Sequence, residues 1–154
     1  MSNIIEVKYG LIEREELNRE EIDDLMEAEL ARKEGHTPYS KFPVGAAITA
    51  NDGQLYVGWK VEIAAYDGLH APVNAIGQMS AKSRGSGLKR ITVVGGPEGK
   101  EQGKPITPCK ACRQKLLEFV RPEDNPQIIV AGTSGKILRM LLKDVLPQSL
   151  TRQK

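Results

Sequence analysis

Three side chains in this 154-residue chain have the types and spacing needed to hold a metal ion: His70, Cys109 and Cys112. The cysteines form a C-x-x-C at a predicted helix start, so both sulfurs lie on the same side of the first turn. The stretch LHAPVNAIGQ (69–78) places His70 at the start of another predicted helix. A helix N-terminus stabilises negative charge, which favours the thiolates that a metal needs. Three protein ligands with one open position are typical of catalytic zinc, whereas a structural zinc site usually has four.

Each signal has another interpretation when it is taken alone. A C-x-x-C can be a pair of ordinary helix cysteines or a redox motif, and a lone histidine is often only a hydrogen-bonded polar residue. In a reducing compartment, two close cysteines argue against a structural disulfide. Together the residues follow the zinc-deaminase pattern H-x-E…P-C-x-x-C, read here as His70-Ala71-Pro72 and, later, Pro108 to Cys112.

The bulk composition excludes several classes of protein. With 40% hydrophobic and 27% charged residues, the chain is expected to fold as a single domain spanning 1–154. A net charge of +2 makes no case for a nucleic-acid or membrane-surface binder. No apolar run reaches the length of a membrane span, and charges at Glu6 and Lys8 interrupt the first apolar patch. We therefore expect a cytosolic (cytoplasmic) protein with neither nucleic acid nor membrane as partner.

Hydrophobic spacing predicts the elements that position these residues. The first helix is predicted to be capped by Asn18, with Glu21 as the capping-box partner, and to be stopped by Gly35. Its apolar face is predicted to comprise Ile22, Leu25, Met26 and Leu30. Two further helices are predicted at His70 and at Cys109. The predicted strands are Val44–Thr49, Leu55–Val61, 89–96, 127–132 and 136–142, and the first two form a hairpin around Asn51-Asp52-Gly53.

The predicted order is α-β-β-α-β-α-β-β. Helices that connect buried strands imply a mixed sheet covered on both faces, which is an α/β fold.

From about Glu21 to Leu150 the chain resembles the small, homotetrameric, zinc-dependent cytidine deaminases. The matching segments, in chain order, are PYSKFPVGAAITANDGQLYVGWKVEIAAY, HAPVNAI, TPCKACRQKLLEF and LKDVLPQSL. The resemblance implies a three-layer α/β/α sandwich with a mixed five-stranded sheet, assembled as a homotetramer. It also implies Zn ligation by His70, Cys109 and Cys112.

The same resemblance implies a set of nucleoside-binding residues. Phe42 and Glu62 match positions that help to hold the pyrimidine and the ribose hydroxyl. Ala71 matches a position whose backbone contacts the base. Lys60 stands where the family usually has an asparagine that contacts the ribose. Its charge would suit a substrate bearing an anion such as phosphate, or it is simply a solvated lysine at a strand end.

The main departure is Pro72, which stands where the family has a proton-shuttling glutamate. Proline suits the first turn of a helix but has no titratable group, and general acid–base catalysis contributes roughly 10²–10⁴ in rate. Asp67, three residues before His70, is a candidate substitute base. In the tail, Gln148 and Leu150 replace aromatics that reach an active site in the family.

We therefore expect a zinc-dependent deaminase of cytidine, deoxycytidine or a related aminated nucleoside, with impaired or altered proton transfer. The alternatives are a catalytically inactive, zinc-containing nucleoside-binding protein and an assembly subunit.

Overall fold

The computed structural model describes residues 7–65, 68–83, 85–105 and 109–145. The strands are β1 (Gly10–Ile12), β2 (Val44–Ala50), β3 (Leu55–Trp59), β4 (Leu88–Gly95), β5 (Gln127–Ala131) and β6 (Ile137–Leu141). The helices are α1 (Arg19–Lys33), α2 (Ala71–Lys82), α3 (Lys110–Leu117) and α4 (Leu142–Val145), with a 3-10 turn at Arg14–Glu16. The predictions for Asp67, Pro108, Gln148 and Leu150 lie outside the described residues.

The strands form one mixed sheet in the order β1-β6-β5-β4-β2-β3. Only β4 and β5 run parallel, and the other neighbours are antiparallel. The mixed sheet was predicted, but its strand number was not: the described residues form six strands rather than five. The extra strand, β1, is three residues long and pairs Gly10 with Arg139 and Ile12 with Ile137. So short a segment has too few residues to show the alternation by which strands are recognised in sequence.

Helices cover both faces of the sheet, as predicted. Leu25 and Ala28 of α1 pack with Ala47 of β2 in a buried cluster on one face. On the other face, Met79 of α2 and Leu116 of α3 share a second cluster. Every residue of β2 after Val44 is buried, because this strand has a helical layer on each side. The three-layer α/β/α arrangement is thereby confirmed.

Both ends of α1 agree with the predicted cap and stop, but the glycine at its end has an unexpected conformation. The Asn18 side chain accepts a hydrogen bond from the Glu21 backbone at 2.9 Å, and the Glu21 carboxylate accepts one from the Asn18 backbone at 2.9 Å. The last helical residue is Lys33 and the C-cap is Glu34, so Gly35 is the first residue past the cap, where it was predicted to stop the helix. Gly35 does not adopt the left-handed conformation by which a glycine usually terminates a helix.

The predicted apolar face of α1 is wrong in two of its four members. Met26 and Leu30 are 50% and 55% exposed, whereas two acidic residues, Glu21 and Asp24, are buried. Buried charges need partners. Arg139 binds Glu21 through two nitrogens at 2.6 and 2.9 Å, and Arg90 binds Asp24 at 2.7 Å. Because the arginines lie in the sheet, these ion pairs hold the acidic residues of α1 against the sheet and leave part of its apolar face exposed.

No helix in the described part of the chain combines the length and apolar character needed to span a bilayer.

Candidate metal centre

The three predicted ligands come together where two helices begin. His70 is the N-cap of α2, Cys109 is the N-cap of α3, and Cys112 lies in the first turn of α3. Their ligand atoms all lie within 4.8 Å of one another. The Cys109 sulfur is 3.4 Å from His70 Nδ1 and 3.4 Å from the Cys112 sulfur. One imidazole nitrogen and two sulfurs are a donor set that suits zinc, so these residues fit the metal.

Gly58 in β3 allows α2 to lie close enough to place His70. A Cβ atom at this position would stand 2.3 Å from the Ala71 carbonyl oxygen and 2.6 Å from the Ala75 nitrogen. Neither distance can accommodate a real side chain. The first turn of α2 therefore rests directly on the backbone of β3, and His70 takes its position from that contact.

Hydrogen bonds also hold the segment before His70 and the outer side of β3. Val61 and Leu69 exchange backbone hydrogen bonds at 2.9 and 2.8 Å, which brings the chain back beside the end of β3. From α2, Asn74 donates to the Trp59 carbonyl at 3.3 Å and Gln78 donates to the Val57 carbonyl at 2.8 Å. These amides satisfy outward-facing carbonyls of β3, which is the edge strand of the sheet among the described residues.

A hydrogen bond between the two sulfurs, 3.4 Å apart, moves the pKa values of the two thiols in opposite directions. Burial, together with the hydrogen bond to Cys109, raises the pKa of the Cys112 thiol to about 12. Burial also raises the pKa of Cys109, but hydrogen bonds from Cys112 and from the Ala111 backbone outweigh it, and the pKa falls below its ordinary value. A metal ion takes the place of such protons, so its binding releases them and weakens as the pH falls.

A cavity of about 230 Å³ opens in front of the three ligands. Its other described walls are Phe42, Val44, Lys60, Ala71, Pro72, Val93 and Gly95. Pro72 is the second residue of α2 and is buried. Its missing N–H costs nothing there, because the first four N–H groups of a helix have no partner within it. Among the described wall residues, Lys60 alone adds a titratable side chain to the three ligands.

A second cavity, of about 260 Å³, adjoins the first. The two cavities share Lys60 and His70. The remaining described walls of the second cavity are Tyr39, Val61, Glu62, Ile63, Ala64, Gly68 and Leu69. Together the cavities reach the size of small-molecule sites, roughly 300–1,000 Å³.

Glu62 lies in the wall of the second cavity, and its surroundings favour the ionised carboxylate. Its Oε1 accepts backbone hydrogen bonds from Tyr39 and Ser40, each at 3.1 Å, and its Oε2 lies 3.4 Å from Lys60 Nζ. A hydrogen bond from the Ser40 side chain is the largest cause that lowers the pKa of Glu62. Together with the backbone hydrogen bonds and the charge of Lys60, it brings that pKa to about 2. The residue is therefore ionised near neutral pH, and so low a pKa makes it a weak base there.

Lys60 follows β3 and is tethered at the junction of the two cavities. Its side chain is 26% exposed. Besides Glu62, its ammonium contacts the Phe42 carbonyl at 3.3 Å and the Ser40 hydroxyl at 3.4 Å. It also lies 5.8 Å from the centre of the Phe42 ring.

Sequence reasoning overlooked two features of this site. One is the Tyr39–Ser40 backbone that holds Glu62, and no local pattern signals it. The other is Gly58, for which a signal exists, because a glycine inside a strand often marks the close approach of another backbone. The predicted roles of Phe42, Glu62 and Ala71 toward a ligand stay predictions, although all three lie in the walls of the two cavities.

Residues 19–124 match the family model of the cytidine and deoxycytidylate deaminase zinc-binding region. The chain is 30% identical over 129 residues to the cytidine deaminase of Sporosarcina psychrophila, covering 84% of this chain and 90% of that relative. For the cytidine deaminase of Halalkalibacterium halodurans the identity is 32% over 129 residues, with 84% and 92% covered. The crystal structure of cytidine deaminase from Burkholderia pseudomallei superimposes with a TM-score of 0.72 at 31% identity, covering 86% of this chain and 98% of that one.

Proposed function

The chain belongs to the zinc-binding cytidine and deoxycytidylate deaminase family, and from that premise we propose that it hydrolytically deaminates cytidine, deoxycytidine or a related aminated nucleoside with impaired or altered proton transfer. The observation that carries this proposal is the convergence of His70, Cys109 and Cys112, within 4.8 Å, on a cavity that adjoins a second, more polar one. These three residues would hold the zinc ion.

The chain's own residues would bind and orient the nucleoside. Zinc held by three protein ligands supplies Lewis acidity, which lowers the pKa of water. Phe42 offers an apolar ring to the base in the metal cavity. Ala71 is the first residue of α2, so its N–H has no acceptor within the helix and can donate to a carbonyl of the base. Glu62, ionised in the second cavity, can accept a hydrogen bond from a sugar hydroxyl.

Proton transfer is the weak step. Hydrolysis of an amine requires a proton to move from water to the leaving amine, and Pro72 has no group to carry it. Glu62 remains ionised and is held by the Tyr39 and Ser40 backbone. Asp67 is the substitute base that we propose to test. The loss of a positioned acid–base group lowers the rate of catalysis by roughly 10²–10⁴-fold.

A second candidate function is zinc-dependent nucleoside binding without turnover, either as an independent nucleoside-binding protein or as a subunit of an assembly. It is favoured by one observation: none of the described residues that line the metal cavity has a carboxylate. In either case we propose a homotetramer of this single domain in the cytosol, on the strength of the resemblance.

The test measures ammonia release from cytidine and 2′-deoxycytidine by the wild-type protein, Pro72→Glu and Pro72→Gln, with zinc content determined for each. Pro72→Gln is the matched control, because it also removes the ring but adds no acid. We expect one zinc per chain throughout, and a rate for Pro72→Glu roughly 10²–10⁴ above both others.

The remaining outcomes separate the candidates. If the wild type is as fast as Pro72→Glu, another group carries the proton, and Asp67→Asn identifies whether it is Asp67. If only Pro72→Glu turns over, nucleoside binding without chemistry is the native function. A wild-type protein that retains neither zinc nor nucleoside refutes both candidates.

A further inference from the structure

We propose that Cys109 and Cys112 form a reversible disulfide with each other when zinc is absent, so that the site alternates between a zinc-bound state and an oxidised state that cannot hold the metal. The oxidant would be a small disulfide such as oxidised glutathione. This inference goes beyond the proposed function, because it concerns the two sulfurs whether or not a nucleoside is deaminated. Its starting point is the reduced protein, in which both cysteines are free thiols.

The two sulfurs lie at a distance from which either state can be reached. Cys109 is the N-cap of α3 and Cys112 is the third residue of that helix, so the two side chains lie over the same turn. Their sulfurs are 3.4 Å apart. Two sulfurs on one tetrahedral zinc ion, each with a bond of about 2.3 Å, lie about 3.8 Å apart, and two in a disulfide lie about 2.0 Å apart. Small rotations of the two side chains therefore lead to either arrangement.

The backbone of this turn meets the requirements of a disulfide. Residues three apart at a helix start have Cα atoms about 5 Å apart, within the roughly 4.4–6.8 Å that a disulfide spans. The Arg113 nitrogen donates to the Cys109 carbonyl at 3.1 Å, and this hydrogen bond involves neither cysteine side chain. Because His70 caps a different helix, the bridge can form within α3 while the third ligand stays in place.

The exposure of the two thiols determines which of them reacts first. Cys109 is exposed, whereas Cys112 is only 1% exposed. The Cys109 sulfur attacks, as a thiolate, one sulfur of oxidised glutathione, whose S–S bond breaks, and one glutathione leaves as a thiol with the proton that Cys109 gave up. The Cys112 sulfur then attacks the Cys109 sulfur, and the second glutathione leaves with the Cys112 proton. The two cysteines lose two electrons, and the glutathione disulfide gains them.

The disulfide and the metal compete for the same sulfurs. Zinc binds cysteine as a thiolate, and a disulfide has no thiolate to offer. Of the three described ligands, only His70 would then remain. Bound zinc in turn occupies both sulfurs, so only the metal-free fraction of the protein can be oxidised. The oxidation rate should therefore fall by the factor 1 + [Zn]/Kd, which is about 100-fold when the free zinc concentration is about 100 times Kd.

The experiment compares the zinc-loaded protein with protein freed of zinc by a chelator under reducing conditions, whose fold is checked by circular dichroism. Both are incubated with oxidised glutathione, and the remaining thiols are alkylated with iodoacetamide at timed intervals. Because the chain has 2 cysteines, intact-mass spectrometry distinguishes two free thiols, a glutathione adduct and an internal disulfide. The zinc affinity of the oxidised and the re-reduced protein is measured by competition with a chromophoric chelator.

The zinc-free wild type should lose both thiols and retain no glutathione, whereas the zinc-loaded protein should keep both thiols. Cys112→Ser should stop at the glutathione adduct on Cys109, and Cys109→Ser should react more slowly, because its remaining thiol is buried. His70→Ala is the matched control, because it keeps both cysteines but should lose most of the protection that zinc gives. Oxidation should weaken zinc binding by more than the roughly 10- to 100-fold typical of losing a ligand's support, and dithiothreitol should restore it.

Each of the following results overturns the inference. A glutathione adduct that persists on the zinc-free wild type shows that Cys112 does not reach Cys109. Retention of both thiols by the zinc-free protein shows that the exchange does not start. Equal oxidation rates with and without zinc, or an oxidised protein that binds zinc as tightly as the reduced one, show that the two states do not exclude each other.

Two further measurements keep the outcomes separate. Nucleoside turnover and binding are measured on the reduced, zinc-loaded protein, so their absence refutes the proposed function and leaves this inference standing. If chelator treatment unfolds the wild type, folded His70→Ala without added zinc takes its place. Retention of both thiols by that variant then refutes the disulfide.

Discussion

Replacing Gly58 with alanine should weaken the metal centre indirectly, because the atoms that the new side chain would meet first belong to α2 and not to a metal ligand. The new Cβ would lie 2.3 Å from the Ala71 oxygen, where ordinary contact begins near 3.4 Å. The start of α2 must therefore move by about 1 Å, and overpacking of this kind costs about 1–3 kcal/mol of unfolding free energy. His70 immediately precedes the displaced turn.

The same displacement should weaken zinc binding. Metal–ligand distances in functional sites hold to within about 0.2 Å, so a shift of about 1 Å at His70 exceeds the tolerance. We expect the zinc affinity to fall by at least about 10- to 100-fold, the loss usual when a ligand's support is removed. The measurements are urea unfolding of the metal-free protein and competition for zinc with a chromophoric chelator.

Gly77→Ala is the matched control on the same helix. A Cβ at Gly77 meets nothing within 4 Å, and its φ is not positive. Alanine there should stabilise the protein by about 0.5–1 kcal/mol, because glycine disfavours a helix interior, and it should leave zinc affinity unchanged. If Gly58→Ala kept both wild-type stability and wild-type zinc affinity, the claim that this contact positions His70 would be wrong.

Three other outcomes follow from the contacts described. His70→Ala should lose stoichiometric zinc after dialysis, measured by elemental analysis, whereas retention of one zinc per chain would show that the histidine is not a ligand. Arg139→Met should lower the free energy of unfolding in urea by about 3–5 kcal/mol, because it leaves the buried Glu21 carboxylate without its ion-pair partner. The double variant that also carries Glu21→Gln should recover part of that loss. If the effects of the two substitutions simply add, the ion pair does not contribute as described. Because the pKa of Glu62 falls from 4.5 unfolded to about 2 folded, its stabilisation is complete above pH 4.5 and lost as the pH falls toward 2. Thermal unfolding of Glu62→Gln should lack that part of the wild type's acid sensitivity, and identical acid profiles would refute the assignment.

Local patterns predicted most of the elements and the three metal ligands. The capping box at Asn18 and Glu21, the hairpin turn at Gly53 and the helix start at His70 each depend on residues a few positions apart. Such features are visible in sequence because their hydrogen bonds form within one turn. The type and spacing of the cysteines were informative for the same reason, since two ligands three residues apart share a helical turn.

Partners distant in the chain determined what the local patterns missed. The burial of Glu21 and Asp24 depends on arginines 118 and 66 residues away, which no helical periodicity can reveal. β1 exists because β6 supplies its hydrogen bonds.

The sequence alone therefore determined which donor atoms this protein offers to a metal and which helix starts carry them. Only the tertiary structure decided that those helix starts meet, that Gly58 brings α2 against β3, and that Lys60 and Glu62 share one wall. The physical reason is that residue type and local hydrogen bonding are properties of neighbouring residues, whereas proximity across the sheet depends on the packing of the whole chain.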